Sequence, residues 1–482
     1  MMFDRKIYSL YAITFLTACA VGPDFIQPPP PSNVGYEVGG FAPINKELQV
    51  TQQNFELGQS AILEWWQLFQ SDALNAVVEK SINNNENLKA SEARLLQSQD
   101  LLRAGYGIFF PHIGLSIGAS RQLISPALLG QSNQGSIFNL TTASANVSYT
   151  LDVFGGGRRQ VEALKAQVDL QRHIHAATYL MLSSNIVNTS IARTAYQQVI
   201  RQTEELIVLE KEQLKLAHAQ VTGGVKTYST ILFLLEDISK NEALLAPLRQ
   251  KLSQADHLLA SLEGVDPSHV MIPKFSLEDL SLPLDMPVSL PSDLVRQRPD
   301  ILSAQAQLHI ASANIGVATA NMFPSITLGA GFGIASNSFA NLSSPNQEFW
   351  SIGPSINIPI FQGGSLFYGR QAAKDFFKFS QASYRQVVLD AFSQVADCLT
   401  AIEHNAQLFD ANTNLKKSSM EVLRLAKINY QAGLINYSDV LSADIQLHHA
   451  QIDYLQSLAN RYQDSVALYV AIGGGLSDSQ WH

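Results

Sequence analysis

The sequence is poor in cysteine and has no excess of positive charge. Cys19 and Cys398 are the only cysteines among 482 residues, too few for a disulfide framework. The 32 basic residues are outnumbered by 41 acidic ones, which gives a formal net charge of -9. Because proteins bind nucleic acids through clustered lysine and arginine side chains, this balance argues against a nucleic acid partner.

Long apolar runs and chemical motifs are scarce as well. No run of about 18 apolar residues follows the N-terminus, so a membrane-spanning helix is not indicated. The stretch FGGGRR at 154–159 has the glycines of a phosphate-binding loop but lacks the Lys-Ser/Thr that follows one. The histidines lack the spacing of zinc ligands on one helix face, and no nucleophile stands beside a base. We therefore expect no enzyme, no catalytic residue, no metal site and no bound cofactor.

The first residues have the form of a bacterial lipoprotein signal. A basic pair precedes an apolar run, and the run ends in Leu-Thr-Ala-Cys at residues 16–19. This order predicts a signal peptide over 1–18 and an acylated Cys19, with an ordinary signal peptide cut elsewhere as the alternative. Residues 19–60 would then be a lipid-anchored, extended N-terminal segment. Because one lipid gives only marginal anchoring, a second attachment to the membrane is expected.

The rest of the chain contains two copies of one unit. FFPHIGLSIGAS at 109–120 is repeated as MFPSITLGAGFG at 322–333. A glycine turn followed by Tyr-Ser occurs at Gly224 and again at Gly433. Because a third pair of segments lies in the same order between them, these landmarks indicate an internal duplication. Each copy reads as helix, strand, strand, long helix, tight turn, helix.

The duplication sets the predicted domain boundaries. The proline-rich linker between the copies and the region after Tyr462 are expected to form a small mixed belt. The predicted segments are repeat 1 over 61–263 with a β-hairpin at about 112–153, the linker over 264–291, repeat 2 over 292–472 with a β-hairpin at about 324–360, and a C-terminal tail over 473–482.

Proline is also missing from long stretches, which favours unusually long helices. One such stretch predicts a helix from about 158 to 221, about 95 Å long at 1.5 Å per residue. From Leu441 to Tyr469, apolar residues recur with a mean spacing of about 3.5, the period of supercoiled helices. A second apolar seam one position earlier indicates a neighbour on each side, as in a ring of helices. An ordinary amphipathic helix in a bundle is the alternative.

Four segments alternate apolar and polar residues, which is typical of membrane β-barrel strands. Examples are ASANVSYTLDVF at 143–154 and WSIGPSINIPI at 350–360. Half-buried strands of a soluble sheet look similar. Four strands cannot close a barrel, and lipid does not tolerate an open sheet edge. We therefore expect copies of the chain to share one barrel, and three copies would supply twelve strands, above the minimum of about eight.

Four stretches resemble landmarks of the outer-membrane efflux family, the TolC- and OprM-like channels, and in particular its lipoprotein branch. The resemblance extends over nearly the whole chain. The four stretches are CAVGPDF (19–25), YTLDVFGGGRRQVEALKAQ (149–167), RPDILSAQAQLHIASANIGVATANMFPSITLGAGFG (298–333) and IPIFQGGSLFYGRQAA (358–373).

The resemblance implies a fold and a place in the cell. The fold is a mixed α/β membrane channel, a homotrimer whose 12-strand β-barrel, with four strands per chain, continues into a 12-helix α-helical barrel with a small mixed equatorial belt. The channel would lie in the outer membrane of a Gram-negative bacterium, lipid-anchored through Cys19, and extend into the periplasm.

The resemblance also implies a function and partners. The channel would be the exit duct of a tripartite efflux system, exporting drugs or small amphiphiles through a periplasmic adaptor protein and an inner-membrane pump. Two alternatives stay open: the duct of a type I protein-secretion exporter, and a structural periplasmic coiled-coil lipoprotein without a pore. The alternating strands argue against the second, because a spacer has no use for a face turned to lipid.

The two glycine turns are the expected functional site. In the family these turns are the tips of the helix pairs, where they form the periplasmic mouth and meet the adaptor. The residues predicted to contact the adaptor are Thr222, Gly223, Gly224, Val225, Lys226 and Thr227 in the first turn, and Ala432, Gly433, Leu434 and Ile435 in the second.

The gate of the channel is expected close to the second turn. Asp439 matches a family position at which acidic side chains ring the narrowest part of the tunnel, and three carboxylates there would attract cations. Ser442 stands where the family has a second acidic residue, so this ring is altered. Tyr430 matches a tyrosine that holds the closed tips. The alternatives are a solvated Asp439 on a helix face and a Tyr430 that packs the helix end.

Overall fold

The structure is a computed structural model of the chain. It describes residues 20–29, 53–57, 63–125, 135–288 and 291–475. The predicted signal peptide, Cys19 and most of the anchored segment lie outside the described residues, as does most of the C-terminal tail.

Eight α-helices and six strands form from the described residues. The helices are α1 (Asp72–Asn84), α2 (Glu86–Gly105), α3 (Gly156–Thr222), α4 (Tyr228–Glu263), α5 (Pro291–Gln297), α6 (Pro299–Ala320), α7 (Ser365–Gln431) and α8 (Tyr437–Ala471). The strands are β1 (Asn54–Leu57), β2 (His112–Ile124), β3 (Ser136–Leu151), β4 (Asp285–Val288), β5 (Ser325–Ser336) and β6 (Glu348–Asn357).

The chain divides into two compact units, and each takes segments from both sequence repeats. The first unit comprises the described residues within 1–27, 95–171 and 304–384, and the second comprises those within 28–94, 172–303 and 385–482. The repeat boundaries therefore describe the duplication, whereas the compact units combine matching parts of the two copies.

A four-stranded antiparallel sheet in the first unit has the order β2-β3-β5-β6. The two predicted hairpins are its outer pairs, and β3 pairs with β5 to join the repeats. One row across all four strands runs through Leu115, Ala145, Phe332 and Trp350. Since side chains alternate between faces along a strand, the apolar residues of all four strands share one face.

The other face of this sheet carries polar side chains or glycines. A neighbouring row across the strands contains Gly114, Asn146, Gly331 and Ser351. The amide of Asn146 donates to the hydroxyl of Ser144 at 3.2 Å. The alternation seen in the sequence is therefore a property of the whole sheet, with one apolar and one polar surface.

The FGGGRR stretch is an elbow between β3 and α3. Gly155 has a φ of 78°, a conformation that glycine adopts without strain. The Asp152 carboxylate accepts the backbone N–H groups of Gly157 at 2.8 Å and Arg158 at 2.9 Å. This carboxylate satisfies the free donors of the helix N-terminus, so the protein itself fills the place that a bound anion would take.

The core of the second unit joins the linker between the repeats to the end of α8. Strand β1 pairs in parallel with β4. The hydroxyl of Tyr462 donates to the carbonyl of Leu280 at 2.7 Å. The ring of Trp65 stacks on that of Tyr469 with centroids 5.6 Å apart, and both side chains are fully buried. The linker and the region after Tyr462 thus pack together, as the predicted belt requires.

Helix α8 buries the first seam that its sequence predicts. Leu441, Leu455, Val466 and Tyr469 are all buried. His448 lies in the same seam but has a polar partner, because its Nδ1 is 2.9 Å from Oε1 of Gln202 on α3.

In the part of the chain that the structure describes, no helix has an apolar stretch long enough to cross a membrane.

Candidate functional site at the helix tips

The two long helix pairs have the same construction. Helices α3 and α7 each contain 67 residues, and short turns over 223–227 and 432–436 link them to α4 and α8, respectively. Along the sequence, matching residues of the two pairs are as many positions apart as Gly224 and Gly433 are. Each residue of α3 and of most of α4 therefore has one counterpart in α7 or α8. The duplication seen in the turns extends over the whole helix pairs without an insertion.

Both turns end their helix in the same way. Gly224 and Gly433 have φ angles of 72° and 74°. The N–H of Val225 donates to the carbonyl of Gln220 at 2.8 Å, and the N–H of Leu434 repeats this bond in the second turn at 2.9 Å. This is the glycine-terminated cap in which the residue after the glycine closes the last helical turn. The φ angle of Gly223 is not positive, and its counterpart is Ala432, so only the second position of each turn requires glycine.

The ten residues predicted to contact an adaptor all lie at these two turns. Nine of them are exposed, and Ile435 is half-buried, packed against a cluster that includes Leu423 and Val440. The surface is therefore available to a partner, and the adaptor contact itself stays a prediction.

Asp439 has a structural role at the start of α8. Its Oδ2 accepts the backbone N–H of Asn436 at 3.1 Å, and the side chain of Asn436 accepts the backbone N–H of Asp439 in return. This reciprocal capping box fixes the start of α8, where a carboxylate is also favoured by the helix dipole. The side chain is exposed, and its role in the gate stays a prediction.

Ser442 and Tyr430 belong to a network that ties the second tip to the first repeat. The amide of Gln213 on α3 donates to the hydroxyl of Ser442 at 2.8 Å. The ring of Tyr430 lies 5.5 Å from that of Tyr437, whose hydroxyl donates to Oε1 of Glu212 on α3 at 3.1 Å. This hydrogen bond raises the pKa of Tyr437, so the phenol remains a donor.

Sequence reasoning missed Tyr437, Glu212 and Gln213 as site residues. The signal for Tyr437 was present, because it repeats Tyr228 in the duplicated Tyr-Ser motif. No signal pointed to Glu212 or Gln213, since their importance comes from the packing of α3 against α8.

The first helix pair contains a buried polar contact that the second pair lacks. Oε1 of Glu210 accepts the amide of Asn241 at 2.7 Å across the α3–α4 contact. Burial raises the pKa of the Glu210 carboxyl group. Their counterparts in the second pair are Ser419 and Ala450, so the second pair lacks this polar contact. Among the described residues, no group of three potential ligands is placed to hold a metal ion.

The sequence matches the outer membrane efflux protein family over residues 77–265 and 290–474. The antibiotic efflux pump outer membrane protein ArpC of Pseudomonas putida is 29% identical, covering 98% of this chain and 96% of that protein. The probable outer membrane lipoprotein SilC of Salmonella typhimurium is 26% identical, covering 98% and 99%.

Among solved structures, the outer-membrane channel OprN has a similar fold. Its TM-score is 0.81 at 24% sequence identity, and the match covers 95% of this chain and 99% of that one. The duplicated helix pairs and the four-stranded sheet are consistent with the family match. The chain therefore belongs to the outer membrane efflux protein family, whose members are efflux channels of the outer membrane.

Proposed function

We propose that three copies of this chain form the exit duct of a tripartite efflux system, which carries drugs or small amphiphiles out of the cell. The observation that supports this most strongly is the sheet. Its outer strands β2 and β6 have no further strand partner among the described residues. Its apolar face carries exposed side chains, such as Leu115 and Ile117 on β2 and Trp350 on β6.

Lipid makes such a sheet unstable on its own. Each backbone group without a partner in the hydrocarbon region costs several kcal/mol. Pairing β2 of one copy with β6 of the next would satisfy both edges and turn every apolar face outward. Repeated over three copies, this pairing gives a closed ring of twelve strands.

The names of the relatives support the proposed cargo and partner proteins. ArpC is named as an antibiotic efflux pump protein, which supports drugs as cargo. We propose that the partners of this chain are an inner-membrane pump and a periplasmic adaptor that meets the two exposed turns. The name of SilC supports a lipid on Cys19. We further infer that the chain has no enzymatic activity and needs no cofactor beyond this lipid.

The gate proposal predicts different effects for two substitutions of Asp439. Asp439→Asn keeps an oxygen that can accept the N–H of Asn436, so it removes the charge and preserves the capping box. We expect this variant to lose cation preference in planar bilayers and to lose at most about 1 kcal/mol of stability, the interaction of the charge with the helix dipole. Asp439→Ala also removes the bond that Asp439 contributes to the capping box, at a cost of about 1 kcal/mol, and is expected to raise leak conductance as well. Wild-type selectivity in Asp439→Asn would exclude the carboxylate from the gate.

The proposed function is tested with a Cys19→Ser variant, which keeps the signal sequence but cannot be acylated. We expect it still to need detergent for extraction from the outer membrane and then to have the mass of about three chains, because strands hold it in the bilayer. A protein that dissolves without detergent would mean that lipid is its only anchor. The spacer without a pore would then replace the duct.

A further inference from the structure

A cavity of about 400 Å³ lies at one end of the four-stranded sheet, within the first compact unit. Residues from the end of β3, the start of β5, the end of β6, the start of α3 and the end of α6 line it. Its volume falls within the range of about 300–1,000 Å³ that is typical of sites for small molecules. The helix tips and the predicted gate belong to the second unit, so the cavity is part of neither.

Polar side chains at this end of the sheet line the cavity. Thr150 on β3, Ser325 on β5 and Asn357 on β6 are among them. Ser325 pairs with Asn357, and Thr150 pairs with Thr327, two positions after Ser325. Since side chains two positions apart share a face, all of these residues belong to the polar face of the sheet. In a barrel whose apolar face is turned to lipid, the polar face surrounds the lumen, where cargo would pass.

Apolar side chains form much of the remaining lining. The rings of Phe154 and Phe323 stack with centroids 4.7 Å apart and an interplanar angle of 21°. Val317 from α6 and Pro359 from the segment after β6 add aliphatic surface. Aromatic rings offer a large contact area to a hydrophobic ligand. The cavity therefore combines an apolar and a polar lining, which suits an amphiphile.

The cavity offers no unpaired charge to a ligand. Asp152 is the only acidic or basic side chain among the described residues that line it. Its Oδ1 accepts the N–H of Gly157 at 2.8 Å, and its Oδ2 accepts the backbone N–H and the Nε of Arg158 at 2.9 and 3.2 Å. A charged ligand would lose hydration there without gaining an opposite charge. A hydroxyl or amide group, by contrast, can exchange hydrogen bonds with Thr150 and Asn357.

The lining is held in place by the protein's own contacts. The Asp152 carboxylate fixes the elbow between β3 and α3, and the hydroxyl of Thr150 lies 3.2 Å from that of Thr327. A Cβ on Gly157 would lie 3.3 Å from the Asp152 carboxylate, so glycine lets the backbone itself form part of the lining. Because the cavity exists before any ligand arrives, binding carries little cost of ordering the protein.

We propose that this cavity binds uncharged amphiphiles on their way through the duct. The apolar body of the ligand lies against Phe154 and Phe323, and its hydroxyl or amide group is turned toward Thr150 and Asn357. This inference rests on the proposed function and adds to it a cargo-binding site and a class of cargo. A trimer carries three such sites around its lumen.

The test is photolabelling of the intact protein in lipid nanodiscs, since a detergent is itself an amphiphile and would compete. Three probes share one benzophenone body: the uncharged 4-(hydroxymethyl)benzophenone, the anionic 4-benzoylbenzoate and the cationic (4-benzoylbenzyl)trimethylammonium. We expect the uncharged probe to label the peptides that contain Phe154 and Phe323 in a saturable way. Each charged probe is expected to label them about tenfold more weakly or less, because it must give up its hydration.

Two tryptophan variants of α3 separate the cavity from the rest of the surface. Gln160 is exposed and lines the cavity, so the ring introduced by Gln160→Trp occupies the space of the ligand. We expect labelling by the uncharged probe to fall about tenfold. Lys165→Trp places the same ring at an exposed position of α3 that is not part of the lining, and labelling is expected to match the wild type.

The outcomes distinguish this inference from the proposed function. If the protein has the mass of three chains and conducts ions in planar bilayers, labelling that does not saturate, or that is equal in Gln160→Trp and Lys165→Trp, overturns the cargo site and leaves the duct standing. Equal labelling by all three probes would overturn the restriction to uncharged cargo. A protein without the trimer mass and without conductance would refute the duct, and the cargo site with it.

Discussion

Lysine in place of Ile352 is expected to prevent stable assembly in the outer membrane. Ile352 lies at the middle of β6 on the apolar face of the sheet, where its register partner is Ala330, and it is exposed. A lysine at the mid-plane of a membrane strand costs about 2–4 kcal/mol. A trimer places three such lysines in lipid, so the penalty is of the order of the entire stability of an ordinary domain.

The measurement compares two neighbouring residues of the same strand. Ser351→Lys introduces the same charge one position earlier, on the polar face, where Ser351 pairs with Gly331. We expect Ser351→Lys to reach the outer membrane in amounts close to the wild type, and Ile352→Lys to be found mainly as unassembled or degraded protein. Equal amounts of both variants in urea-washed membranes would show that the faces are assigned wrongly.

The sequence predicted the faces of this sheet but not its full pairing. Alternation assigns Leu115 and Trp350 to an apolar face without saying which strand lies beside which. The hairpins followed from short separations along the chain. The β3–β5 pairing connects strands from different repeats, and nothing in local alternation specifies such a distant partner. Register between distant strands is set by the packing of the whole sheet.

At the helix tips, too, some features could be predicted from the sequence and others could not. The positive φ of Gly224 and Gly433 was predictable, because a helix that reverses within a short turn requires glycine there. The capping box of Asp439 was also within reach, since Asn436 stands three positions before it. The bond from Tyr437 to Glu212 was not, because it depends on the side-by-side arrangement of two helices from different repeats.

Alanine in place of Arg298 is expected to cause the largest loss of stability in the second compact unit. The guanidinium group is buried. It donates twice to the Asp300 carboxylate, at 3.0 and 2.6 Å, and to Oε1 of Gln394 on α7 at 2.8 Å. It also donates to the carbonyl of Ala471 at the end of α8, at 2.8 Å. One side chain thus connects α6, α7 and α8.

The expected cost is about 3 kcal/mol for each chain, the lower end of the range for breaking a buried ion pair. It lies at the lower end because the Asp300 side chain is half-exposed and water can replace part of its bonding. Gln394 and the carbonyl of Ala471 would lose a buried donor, which adds to the loss. Guanidinium unfolding followed by tryptophan fluorescence measures the change, since Trp65 and Trp66 are buried in the same unit.

Arg298→Lys separates charge from geometry in this cluster. Lysine keeps the positive charge, but its single ammonium group cannot copy the planar fork that reaches Asp300, Gln394 and Ala471 together. We therefore expect a stability between those of the wild type and Arg298→Ala. If Arg298→Lys were as stable as the wild type, the charge alone would hold the three helices. If Arg298→Ala also unfolded like the wild type, the connection through Arg298 would contribute nothing, and apolar packing, including that of Tyr469, would hold this end of α8.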